Sequence, residues 1–119
     1  MAVFFTRRGL PEIVGPVAVT ITANTVGSST GKVYATVNGT KYTAAASGIE
    51  VWPGDVIEFG IWRQNTGYST SVTVDGDTLF SITSGLTATG NWTVPDGITE
   101  IAILIQGYAN NSRITVTTS

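Results

Sequence analysis

The side chains in this sequence best suited to chemistry are its carboxylates, and the tightest pair is Asp75-Gly76-Asp77. Two carboxylates this close could seed a calcium site, because hard cations take oxygen ligands. An EF-hand loop needs more oxygen ligands and a closing Glu, which this stretch lacks. Asp-Gly is also turn chemistry, and that reading outweighs calcium. Asp55, Glu58, Asp96 and Glu100 could join the pair only through folding. Glu58 and Glu100 lie on long alternating segments. They would suit glycoside hydrolysis if the fold held them roughly 5–10 Å apart in a cleft, but the alternation turns both toward solvent. Nucleophilic catalysis needs a base beside a Ser or Thr. The chain has no His and no Cys, so only carboxylates and Lys32 or Lys41 remain, and alternation points both lysines away from the apolar side of their hairpin. Without Cys there are no disulfides, thiolate chemistry or Cys-based zinc sites. The sequence thus predicts a protein that is not an enzyme, with no catalytic residue, metal or cofactor.

Surface recognition is better supplied. Trp62 shares a strand face with Val56 and Glu58, opposite Ile57, Phe59 and Ile61. If the latter three face the core, Trp62 stands outside and asks for a partner. Tyr68 and Tyr108 fall in loops, which often carry binding function. These three aromatics are candidate contacts for a protein or for a stacked sugar, since Trp and Tyr are enriched at interfaces; packing along the core rim is the alternative. Val3-Phe4-Phe5 followed by Thr6-Arg7-Arg8 is the second candidate. An apolar hook with a paired cationic tip could add a strand to a neighbour's sheet edge and set Arg forks against carboxylates. It could equally be the first strand of the chain's own sheet.

The elements that must position these residues are strands. Val17, Val19 and Ile21 alternate with Ala18, Thr20 and Thr22, the period of a half-buried strand. Asn38-Gly39 sits between alternating runs, a strong hairpin signal. Asp75-Gly76-Asp77 marks a second hairpin, and Pro53-Gly54-Asp55 a turn. Val56 to Arg63 reads as a strand with Ile57, Phe59 and Ile61 inward. Thr99 to Gln106 reads as a central strand with Ile101, Ile103 and Ile105 inward and Ala102 and Leu104 covered on its other side. Thr83 to Gly90 reads as a loop, followed by a short strand from Trp92 to Val94. No window repeats apolar residues at helical spacing. The predicted fold is all-β: a two-sheet antiparallel β-sandwich, Ig-like or jelly-roll-like, of eight or nine short strands. Residues 1–16 read as an N-terminal arm and 17–119 as the sandwich.

The 119 residues fit one domain. Charged residues make up 12% of the chain, against about 25% in average soluble domains. The six basic residues form no stripe and the formal net charge is −2. Neither nucleic acid nor an anionic membrane surface would be held by so few cations. The opening order, apolar then basic, reverses that of a signal peptide, which predicts a protein made in the cytoplasm.

Gly90-Asn-Trp-Thr-Val-Pro-Asp-Gly-Ile-Thr-Glu-Ile101 resembles a segment that recurs in β-domains of phage tail and fibre proteins. Phe4-Phe5-Thr6-Arg7-Arg8-Gly9 resembles the start of small virion-associated phage proteins. The glycine-rich run that often follows in fibre proteins is replaced here by Gly107-Tyr-Ala-Asn-Asn. The resemblance implies a bacteriophage virion accessory protein: a capsid decoration, head-fibre or tail-appendage protein. It further implies a virion location, other capsid or tail proteins as partners, and a homo-oligomer, often a trimer. A carbohydrate-binding or host-receptor-binding module, with a glycan as partner, is the alternative.

Overall fold

The computed structural model describes residues 15–119. Ten strands are found among them: β1 (Val17–Thr25), β2 (Tyr34–Val37), β3 (Thr40–Tyr42), β4 (Ala46–Val51), β5 (Val56–Trp62), β6 (Ser71–Val74), β7 (Asp77–Ser81), β8 (Thr87–Thr93), β9 (Glu100–Gly107) and β10 (Ser112–Thr118). They form a six-stranded sheet, β4-β1-β9-β10-β6-β7, and a four-stranded sheet, β3-β2-β5-β8. The fold is all-β and sandwich-like, with one 3-10 turn at Gly27–Ser29 and no α-helix among the described residues. No helix there is long and apolar enough to cross a membrane.

The core follows the period-two pattern. Val17, Val19 and Ile21 from β1 and Ile101, Ile103 and Ile105 from β9 are buried, as are Ile114 and Val116 from β10. The four-stranded sheet answers with Ala35, Val37, Ile57, Phe59 and Ile61. Both hairpins form. Asn38 and Gly39 take positive φ (53° and 78°), as do Asp75 and Gly76 (50° and 87°), the backbone that a two-residue hairpin turn requires and Asn, Asp and Gly tolerate best.

Three expectations are corrected. The six-stranded sheet is mixed, because β1 pairs in parallel with β9, and β6 with β10. The chain between β1 and β9 builds the whole four-stranded sheet and also β4, β6 and β7 of the larger one, far more than the long crossover that parallel pairing needs. The stretch predicted as a loop over 83–90 contains most of β8, which pairs with β5 from Val56↔Thr93 to Trp62↔Thr87. Its core-facing positions include Ala88 and Gly90, which carry almost no apolar signal. The volume is supplied instead by Phe80 of β7: a Cβ on Gly90 would lie 2.5 Å from the Phe80 ring. Finally, β9 is central in hydrogen bonding but covered on one side only, with Glu100 and Ala102 exposed on its outer face.

A second glycine is filled from outside. The hydroxyl end of the Tyr34 ring fills the space a Gly60 Cβ would occupy. Lys41 Nζ then caps that ring at 4.1 Å from its centroid. Burial first, and then the neighbouring Glu58 carboxylate, raise the Tyr34 hydroxyl above its ordinary pKa. Removing a proton here would set a phenolate beside a carboxylate in a partly desolvated spot.

Candidate functional site: the loop end around Arg63

Arg63 follows β5 and is only 7% exposed. A buried guanidinium needs its donors satisfied, and here carbonyl groups do it. Nε donates to the Gly85 carbonyl at 2.9 Å and a terminal nitrogen to the Tyr68 carbonyl at 3.1 Å. The Arg63 backbone N–H donates to the Leu86 carbonyl at 2.9 Å, and Arg63 bridges to Asn111. One side chain thus fastens the 64–70 and 83–86 loops, while its backbone reaches the 108–111 loop.

Ser112 completes the clasp between the sheets. Its hydroxyl accepts from the Trp62 N–H at 2.9 Å and donates to the Trp62 carbonyl at 3.0 Å. Its own carbonyl accepts from the Thr70 hydroxyl. Asn111 donates its side-chain amide to the Ser69 carbonyl at 2.9 Å. The 3-10 turn joins the same end. The Val26 N–H donates to the Gly107 carbonyl at 3.2 Å, and buried Ser29 sits where a Cβ on Gly107 would fall.

Trp62, Tyr68 and Tyr108 are therefore brought to one end of the sandwich, in three different states. Tyr108 is open, at 43% exposure, and Tyr68 is half-buried with its carbonyl held by Arg63. Trp62 corrects the expectation of an outside ring. It lies on the outer face of β5, yet it is 8% exposed, with Lys32 Nζ 4.6 Å from the ring centroid. A lysine lying over an indole satisfies it internally by cation–π attraction. Sequence reasoning missed Val26 and Leu86, which are exposed at the same end. A lone apolar residue within a polar loop gives no periodic signal. Val3, Phe4, Phe5, Arg7 and Arg8 lie outside the described residues.

No family model, curated protein or solved structure matches this chain.

The carboxylates considered for chemistry are held apart or otherwise engaged. Glu58 sits on the outer face of the four-stranded sheet and Glu100 on the outer face of the six-stranded one, so both layers separate them. Asp75 is tied to Thr118: one oxygen accepts from the backbone N–H at 2.8 Å and the other from the hydroxyl at 2.6 Å. Among the described residues no three carboxylates gather to hold a metal ion.

The Thr118 hydrogen bonds hold the Asp75 carboxyl below its ordinary pKa. A folded-state value below the unfolded one gives stability that is complete above the unfolded pKa and is lost as pH falls through the folded value. Acid titration should therefore erode stability below about pH 4. Asp75→Asn is expected to flatten that acid limb by lowering stability at neutral and alkaline pH while changing little at pH 2, where both side chains are uncharged. Urea midpoints measured from pH 2 to pH 8 test this, and parallel curves for the two proteins would refute it.

Proposed function

We propose that this protein works by surface contact, as a structural component of a bacteriophage particle. In this reading it is a capsid decoration or head or tail appendage protein, with a two-sheet body of the Ig-like or jelly-roll-like kind. The observation that carries the contact reading is the loop end. Val26, Leu86 and Tyr108 are exposed there on loops fixed by Arg63, Ser112 and Asn111. Apolar side chains on a rigid platform lose little entropy on binding, which favours an interface. The resemblance of residues 90–101 and 4–9 to phage tail, fibre and virion-associated proteins supplies the particle. The reading includes self-association, with a trimer as the expected form, and attachment to capsid or tail proteins through Val3, Phe4, Phe5, Arg7 and Arg8.

The test is sedimentation of the purified protein together with co-sedimentation with particles encoded by the same genome. Tyr108→Asp/Leu86→Asp is expected to weaken the association at least tenfold, about 1.4 kcal/mol or more, with the fold intact by circular dichroism. A protein that is monomeric and does not travel with particles, before or after these changes, would overturn the reading. Tyr108 also keeps the glycan alternative open, because its ring is the one of the three with an open face. Binding on a glycan array that is lost in Tyr108→Ala would favour that alternative.

A further inference from the structure

The end of the sandwich opposite Arg63 has a distinct chemistry. It is built from the 38–39, 52–55, 75–77 and 95–99 turns and the close of β10. Hydrogen bonds from Gly54 to Val94, Asn38 to Glu50, Ala18 to Thr99, and Asp75 to Val116 join these pieces. Glu50, Asp55, Asp75, Asp77, Asp96 and Glu100 lie at or beside this end, which leaves Glu58 as the one described acidic residue elsewhere. Three of the described cations, Lys32, Arg63 and Arg113, stand toward the loop end; Lys41 is on the edge strand β3 near the 38–39 turn, with its Nζ engaged over the Tyr34 ring. On this acidic end sit two large exposed apolar side chains, Trp52 at 50% and Val56 at 53% exposure. They flank one tight turn, in which the Trp52 N–H donates to the Asp55 carboxylate at 2.9 Å.

The chain enters the fold at the same place. Val17, the first residue of β1, is the register partner of Val51, the residue before Trp52. Upstream of it the sequence carries Phe4, Phe5, Arg7 and Arg8, the two chemistries that match an apolar patch rimmed by carboxylates. We propose that residues 3–8 dock on the acidic end of their own chain, Phe4 and Phe5 covering Trp52 and Val56 and the two guanidiniums facing the carboxylate rim. Phe4 lies thirteen residues before Val17, a tether of up to about 45 Å, ample to fold back over a patch one residue from its root. Such a tether holds the segment at an effective concentration on the order of millimolar, so the chain's own arm outcompetes that of a second copy. None of this requires the particle reading.

The chain has no cysteine, so Thr6→Cys gives a single attachment point for a nitroxide. The readout is the indole N–H resonances of Trp52, Trp62 and Trp92, each assigned from its own Phe substitution. The Trp52 signal is expected to lose most of its intensity while that of Trp62, about 20 Å further along β5, is spared. Adding Arg7→Ala/Arg8→Ala to the labelled protein is expected to restore Trp52. Mixing labelled protein with isotope-enriched unlabelled protein is expected to leave Trp52 undimmed. Equal effects on Trp52 and Trp62, no effect on either, or dimming in the mixed sample would each overturn docking within the chain; the last would assign the patch to a second copy.

Discussion

Replacing Arg63 with methionine is expected to destabilise the protein by about 3 kcal/mol, since two carbonyl groups lose their donors and each loss costs roughly 1–3 kcal/mol. The carbonyls are those of Gly85 and Tyr68. Methionine keeps much of the apolar stem, so the loss reports hydrogen bonding more than volume. A domain this size would show the change as a fall in melting temperature on the order of 10 °C. Arg63→Lys is the discriminating control. It keeps the charge but not the planar fork that reaches two loops at once, and it is expected to recover less than half the loss. Full recovery by lysine would mean that charge, not geometry, holds the loops. Hydrogen exchange should place the damage locally, with faster exchange over residues 64–70 and 83–86 and an unchanged β1–β9 pair.

Gly90→Val carries the second large effect, about 2–3 kcal/mol, the upper part of the usual cost of overpacking. The added Cβ would stand 2.5 Å from Phe80 Cδ1 and 2.6 Å from Cε1, and the rest of the valine deepens the clash. Phe80 belongs to the six-stranded sheet and Gly90 to the four-stranded one. The contact therefore closes the open side of the sandwich, where β7 faces β8. Phe80→Ala alone should also destabilise. The pair Gly90→Val/Phe80→Ala should lose less than the two single losses added, with a coupling of about 1–2 kcal/mol. Additive losses in urea denaturation would show that the ring and the glycine do not share one space.

What the sequence disclosed follows from which positions had periodic partners. β1, β5 and β9 alternate cleanly, so their inward residues were readable, and Asn38-Gly39 and Asp75-Gly76 could be placed as turns by their backbone needs alone. The first half of β8 escaped because its inner positions there are Ala88 and Gly90, with volume at Gly90 donated by a residue from another strand. Trp62 was placed on the correct face yet given the wrong exposure for the same reason. Alternation says which way a side chain points, not whether Lys32 will lie over it. The loop end was half-visible. Tyr68 and Tyr108 stood out by type, but nothing local marks Arg63 as the residue that joins their loops, since its partners are carbonyls that every residue carries. The segregation of acidic residues to one end was hidden as well, because they come from separate turns that only the sheet order brings together.

The parallel ladder of β1 and β9 has a consequence for how the molecule is made. Ala18 is opposite Glu100, a separation of eighty-two residues, and β10 stands next in the same sheet. Until a ribosome has released β9, the inward Val17, Val19 and Ile21 of β1 have no strand on that side. The larger sheet can only knit together late, around the finished chain. Topologies dominated by such distant pairings fold slowly, and a growing chain with an unclaimed apolar strand is vulnerable to association with its neighbours. Translation intermediates that end before residue 100 should therefore be the form of this protein that most needs a chaperone.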